Sequence, residues 1–164
     1  MNLRTERTTI IPLSESDISE ILEMYLEPDS FKFISPHKDK SKEYYHVFLQ
    51  GKLEANKKAL GFWSVRLNET KEFLGTVNLN QFQDAEMTHI GCHLKNDVWN
   101  KGFAIELMKE LIKYGFEERN LKAIYGIVEE SNVISAKLMK RLGFDFLEEM
   151  MDKEVKLNIY RCIR

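Results

Sequence analysis

Met87-Thr88-His89-Ile90-Gly91-Cys92-His93-Leu94, the polar stretch 95–101, the run 102–120 and the segment 122–128 together decide the fold. The first is strand-like. Within 102–120, Ala104, Leu107, Met108, Leu111, Ile112 and Phe116 recur at i, i+3, i+4 spacing, which predicts an amphipathic helix of about five turns at 3.6 residues each. Residues 122–128 return to strand. Strand-helix-strand units are right-handed, and ligands collect where the strands end and the helices begin. The expected pocket is therefore the turn Asn100-Lys101-Gly102-Phe103-Ala104. A helix start carries unpaired N–H groups and the positive end of the dipole, so it holds anions. Gly102 and Ala104 leave room for a pyrophosphate to approach the backbone, and Lys101 and Lys95 add positive charge. A glycine beside a helix start also serves as a steric or capping device, and that alternative stays open here. No Gly-Lys-Ser/Thr and no Gly-rich dinucleotide fingerprint occurs, which argues against a nucleotide hydrolase or dehydrogenase.

Working outward, residues 8–13 form a β-branched first strand, and Ser14 or Ser16 caps a helix with Ile18, Ile21, Leu22 and Tyr25 on one face, ending near Glu27. Residues 31–39 are a loop with Pro36, followed by a second amphipathic helix over 41–56 carrying Tyr44, Val47, Phe48 and Leu53. Strands over 60–67, 73–82 and 87–94, parted by polar turns, suggest an antiparallel meander. A further helix spans 132–142, with Gly143 placed to end it in a left-handed conformation. Strands over 144–151 and 155–163 close an α+β domain with a mixed sheet. No repeat or Gly/Ser/Pro-rich linker divides residues 1–164, and the chain is expected to be a single domain.

The composition is that of a globular protein, with 43% hydrophobic and 30% charged residues. Twenty-four Lys and Arg against 26 Asp and Glu leave a net charge of -2, so no global field favours nucleic acid or a membrane surface, and any anion site must be local. Cys92 and Cys162 lack the spacing of a zinc site or a disulfide framework. No metal is expected. Residues 1–12 carry Arg4, Glu6 and Arg7 and no apolar run, and no stretch reaches transmembrane length. A cytoplasmic location is expected.

Two stretches carry a resemblance. Trp99-Asn100-Lys101-Gly102-Phe103-Ala104-Ile105-Glu106 and Asn132-Val133-Ile134-Ser135-Ala136-Lys137-Leu138-Met139-Lys140-Arg141-Leu142-Gly143-Phe144, in this order of elements, resemble the GCN5-related N-acetyltransferase (GNAT) superfamily. Leu3-Arg4-Thr5-Glu6-Arg7 and Phe73-Leu74-Gly75-Thr76-Val77 are similar to the branch that acetylates ribosomal-protein N-termini. The resemblance implies a three-layer α/β/α domain with a mixed, mostly antiparallel sheet of six to seven strands, a splayed parallel pair and about four helices. It implies acetyl-CoA as cosubstrate, its pantetheine arm lying between strands 87–94 and 122–128. Backbone groups of Cys92, His93 and Leu94 would pair with that arm. Gly102 and Ala104 fit the family's phosphate pattern, with Asn100, Lys101 and Phe103 beside them, while Trp99 stands at its Gln/Arg position and Asn100 at an often-glycine position. Asn132 matches the asparagine that bonds the arm near the sulfur. Met139 stands where many members place a tyrosine acid, and methionine cannot donate a proton. Ser135 matches the serine proposed as a substitute in the ribosomal-protein branch. Lys137, with Lys140 and Arg141, would reach the 3′-phosphate. Asn132 and Ser135 can equally cap the helix that follows, and the three basic residues can equally be a solvated face.

Aminolysis of a thioester needs a neutral amine, donors aimed at the oxyanion, and protonation of the departing thiolate. Glu86, His89 and His93 are the candidate bases, with His93 nearest the expected thioester. By alternation His89, Gly91 and His93 share one strand face and Ile90, Cys92 and Leu94 the other, unless the bulge common in this family's fourth strand breaks the register. Cys92 and His93 therefore form neither a nucleophilic dyad nor a metal pair. Trp63 and Phe103 line the acceptor cleft or fill the core, and core is the ordinary fate of such residues. The expected activity is acetyl transfer to a primary amine, either a protein N-terminus of ribosomal type or a small amine such as a polyamine or antibiotic. A coenzyme A sensor without catalysis is the alternative that Met139 suggests. The resemblance leaves monomer and homodimer open.

Overall fold

A computed structural model describes residues 2–83 and 86–164. The chain runs β1 (Leu3–Arg4), β2 (Thr8–Pro12), α1 (Ile18–Tyr25), α2 (Lys42–Lys58), β3 (Phe62–Leu67), β4 (Phe73–Gln81), β5 (Thr88–Leu94), α3 (Phe103–Glu117), β6 (Ala123–Glu129), α4 (Val133–Arg141), β7 (Asp145–Asp152) and β8 (Val155–Ile163). These strands form one sheet in the order β1-β2-β3-β4-β5-β6-β8-β7. Every pairing is antiparallel except β5 with β6. The expected sheet gains an eighth strand, β1, whose two residues are too few to show alternation.

The helices cover both sheet faces. On one side Phe103, Leu107, Met108 and Leu111 of α3 and Met139 of α4 pack on Val77, Leu79, Ile90, Ile124 and Val128. On the other, Ile18, Ile21, Leu22 and Tyr25 of α1 and Tyr45 and Leu49 of α2 pack on Phe62 and Phe73. The apolar face of α1 is the one its periodicity predicts. The face of α2 is rotated from expectation: Tyr45 and Leu49 are buried, whereas Val47 and Tyr44 are exposed. Ser41 caps α2 by accepting the Tyr44 N–H at 3.1 Å, whereas Ser14 instead donates from its backbone N–H and hydroxyl to Asp17 at 2.9 and 2.8 Å. The α1 region ends early, at Tyr25.

Two features position the site. First, β4 and β5 keep one unbroken register from Gln81↔Thr88 to Gly75↔Leu94. No bulge interrupts β5 along this ladder, so simple alternation governs its side chains, as read from the sequence. Second, β5 and β6 share one register pair, His89↔Tyr125, and part beyond it toward their C-terminal ends. Gly126 allows α4 to sit close on β6 there, since a Cβ would stand 2.3 Å from Met139 Sδ. Among the described residues no helix is long and apolar enough to cross a membrane.

Candidate functional site

The turn into α3 contains two left-handed residues, Asn100 at φ 61° and Gly102 at φ 81°. Glycine suits the second because it has no Cβ to collide with the carbonyl in that conformation. As the N-cap, Gly102 offers no side-chain acceptor, so the first-turn amides of α3 face outward without a capping group. Asn100, Lys101 and Gly102 are exposed, Ala104 is half-buried, and Phe103 turns its ring into the core. Trp99 donates its indole N–H to the Leu94 carbonyl at 3.0 Å, which occupies one of the backbone groups expected to meet a ligand.

On β5 the two faces have opposite characters. Cys92 lies against the α3 core, and burial pushes its thiol up to about 12. It stays a thiol at neutral pH and is no nucleophile. His89 and His93 face α1 and α2. Asn80 O lies 2.9 Å from His89 Nδ1 and Asn78 Nδ2 lies 3.2 Å from Nε2, so both ring nitrogens are engaged. His93 stacks on Tyr25 at 5.1 Å, meets Phe31 edge-on at 4.9 Å, and has its Nε2 2.8 Å from Ser30 Oγ. Burial lowers each imidazole to about 4, because a charged ring there would lose its hydration. Both are neutral at physiological pH. Glu86 is exposed at the far end of the strand.

The loop between α1 and α2 spans the fork. At the β5 end, Asn96 donates its backbone N–H to Glu27 at 2.8 Å and its side-chain amide to the Pro28 carbonyl at 2.9 Å, alongside the Ser30–His93 contact. At the β6 end, the Ser35 N–H donates to Glu129 Oε1 at 2.6 Å. Glu129 is only 8% exposed. Ile124 and Val128 of the same strand face the α3 core, so Glu129 shares the opposite face with Tyr125 and Ile127. Thus His93 and Glu129 stand on the same side of the sheet, each at the end of one parted strand. Sequence reasoning missed Glu129, Ser30, Ser35 and Tyr25; a carboxylate at an inward position of a strand was the available signal. A cavity of about 270 Å³ lies within the loop, lined by Tyr25, Phe31, Tyr45, Lys38, Asp39 and Lys40 among others.

At the head of α4, Asn132 Oδ1 accepts the Ser135 N–H at 3.1 Å, so the capping role of Asn132 is realised. Its Nδ2 remains the end that could meet a ligand. Lys137, Lys140 and Arg141 are exposed. Met139 is 4% exposed and belongs to the core, as do Trp63 and Phe103. No cluster of three or more His, Cys, Asp or Glu side chains suited to a metal occurs among the described residues.

Comparisons with known proteins agree with this fold. The uncharacterized N-acetyltransferase p20 of Bacillus licheniformis is 33% identical over 145 residues, covering 87% of this chain and 81% of its own. An acetyltransferase of the GNAT family from Bacillus anthracis superposes with a TM-score of 0.85 at 20% identity, over 99% of this chain and 98% of its own. The ribosomal alpha-N-protein acetyltransferase RimL, in complex with coenzyme A, superposes at 0.82 with 14% identity, over 99% and 98%. A family model described as an acetyltransferase (GNAT) domain matches residues 7–145. The match over most of the chain and the 33% identity show that the chain belongs to the GNAT family of N-acetyltransferases.

Proposed function

We propose that residues 1–164 act as one N-acetyltransferase domain that moves an acetyl group from acetyl-CoA to a primary amine at a protein or peptide N-terminus, by direct attack in a ternary complex. The observation that carries the reading is the parting of β5 from β6 after His89↔Tyr125, next to a helix head with no capping side chain. A pantetheine arm has the spare edge hydrogen-bonding groups of two strands to meet there, and the pyrophosphate has the amides of Gly102, Phe103 and Ala104, with Asn100 and Lys101 at the rim. Backbone groups of Cys92, His93 and Leu94 line the arm, and Asn132 Nδ2 donates to it. Lys137 supplies charge toward the 3′-phosphate.

The acceptor enters from the α1–α2 side. His93, being weakly basic, steers the amine through hydrogen bonding with Ser30 rather than storing its proton, which leaves to water. With Met139 unable to donate, the Ser135 hydroxyl donates a hydrogen bond to the departing thiolate and relays a proton to it from water, taking the water proton as it gives up its own. Most of the acceleration comes from holding amine and thioester in contact.

A peptide or protein N-terminus is favoured over a polyamine because the loop cavity carries Lys32, Lys38 and Lys40 beside Glu27, Asp29 and Asp39. A polycation gains little from such mixed charge. The likeness to RimL supports the same choice. The test is calorimetry with coenzyme A, followed by thiol release from acetyl-CoA with a short peptide bearing a free N-terminal serine and, separately, with spermidine. Saturable coenzyme A binding and turnover of the peptide are expected. Absence of coenzyme A binding sinks the cofactor reading, and turnover of spermidine alone sinks the acceptor reading.

A further inference from the structure

We infer that Arg7, outside the site so far described, is a positioning residue of the pyrophosphate cradle, holding the turn into α3 and cancelling a negative charge that would repel the phosphates. The inference rests on the cofactor reading above.

The segment joining β1 to β2 belongs to the sheet edge remote from β6, yet it reaches the first turn of α3. Arg7 donates its backbone N–H to Glu106 Oε1 at 2.9 Å and its Nε to Oε2 at 2.7 Å. Thr5 Oγ1 donates to the same Oε1 at 2.5 Å. Arg7 Nη1 donates to the Lys101 carbonyl at 2.9 Å, and the guanidinium carbon lies 4.0 Å from the centre of the Phe103 ring. A Cβ placed on Gly102 would stand 3.4 Å from Arg7 Nη2. One side chain therefore touches Lys101, Gly102's free space, Phe103 and Glu106, four of the six residues 101–106.

Glu106 explains why such a residue is needed. A carboxylate in the first turn suits the helix dipole, but it stands at the mouth of a site meant for a diphosphate. Burial alone would raise its carboxyl, yet hydrogen bonds from Thr5 and Arg7 outweigh this and hold it below the usual range. Glu106 is thus ionised, and the phosphates meet its charge unless a cation sits on it. Arg7 is that cation, and its planar fork bonds Glu106 through Nε and the Lys101 carbonyl through Nη1, two separate nitrogens where a lysine has one. By anchoring that carbonyl it also fixes the peptide before Gly102, on which the direction of the cradle amides depends.

A mere staple between the N-terminal hairpin and α3 would use the same contacts, and charge rescue separates the two roles. Coenzyme A affinity is measured by calorimetry, and thermal midpoint beside it, for the wild type, Arg7→Ala, Glu106→Gln and the double variant. Arg7→Ala is expected to bind coenzyme A about tenfold more weakly, the double variant to regain at least half of that loss on a logarithmic scale, and Glu106→Gln to bind about threefold more tightly than wild type, although all three melt earlier. Should Arg7→Ala not fold, the Glu106→Gln result decides. Weaker binding by Glu106→Gln, or no recovery in the double variant, overturns the inference. Failure of the wild type to bind coenzyme A overturns the cofactor reading itself, and is visible before any variant is made.

Discussion

His89 and His93 carry their protons only in the unfolded chain over much of the acid range, and this gives the fold a pH dependence. Their imidazoles fall to about 4 in the folded protein from an ordinary 6.5. Between those values the unfolded state binds more protons, so stability is full above about pH 6.5 and is lost as pH falls toward 4, by up to about 1.4 kcal/mol per pH unit for each histidine. Urea melts between pH 7 and 5, above the main carboxylate range, should show this slope, and His89→Gln or His93→Gln should flatten it; an unchanged slope in both variants would contradict the burial argument. Asn132 invites a different separation. Asp caps helices as well as Asn does, so Asn132→Asp should melt within a few degrees of wild type while the KM for acetyl-CoA rises several-fold, because the amide donor is gone and a negative charge faces the arm. Equal KM values would leave Asn132 a cap alone. The glycine-led turn into α3 was legible in the sequence, because a glycine at a helix start is a local signal. Arg7 and Glu129 were not, since their partners lie 94 to 99 residues away in the chain, and the weak basicity of His93 comes from rings that only the fold brings over it.

Among the elements, the loop between α1 and α2 has the least structure of its own and the clearest tethers. The Ser35 N–H has a buried carboxylate as its acceptor, and an unpaired buried N–H costs about 1–3 kcal/mol. Glu129→Gln keeps an oxygen in that place, whereas Glu129→Ala does not. Hydrogen exchange of residues 28–37 should therefore be nearly unchanged in the Gln variant and at least tenfold faster in the Ala variant. If both variants exchange alike, the loop is held by its aromatic packing on Tyr25 and Tyr45 instead. Helix α3 and the meander β3-β4-β5 were readable because their apolar periods are long and unmixed. The buried face of α2 was misjudged because Tyr44, Tyr45, Val47, Phe48 and Leu49 offer two apolar stripes, and only the aromatic cluster around Tyr25 and Phe31 selects the one containing Tyr45. The order β6-β8-β7 was hidden for a similar reason. Residues 144–151 and 155–163 both read as strands, and what sends β7 to the edge is its row of Asp145, Glu148, Glu149 and Asp152, charges that an outer strand tolerates and an inner one does not.

At the scale of the whole molecule, the sheet is two well-paired pieces joined at one place. β1 to β5 pair by antiparallel ladders, as do β6, β8 and β7, with register shifts only at Val65/Arg66 and Phe146/Glu148, while β5 and β6 meet at His89↔Tyr125. Toward the ends of Leu94 and Glu129 the facing edges lack each other as partners; the Leu94 carbonyl turns to the Trp99 indole and the Glu129 carbonyl to the Asn132 N–H, and the remaining edge groups are left to water or a ligand. A pantetheine arm laid into the fork would bond both edges and bridge the pieces, coupling cofactor occupancy to the rigidity of the sheet. Ligand that binds only the folded state stabilises it by about 2.7 kcal/mol at 100 times its dissociation constant. Saturating coenzyme A should therefore raise the thermal midpoint by several degrees. Amide exchange should slow most in residues 91–94, 102–105 and 127–133, and little in β2 or β7, which lie far from the fork. Protection spread evenly over all strands would mean that coenzyme A acts only through global stability. Protection confined to 102–105 would mean that the diphosphate is held while the arm stays outside the sheet, and the thioester would then have no ordered place beside His93 and Asn132.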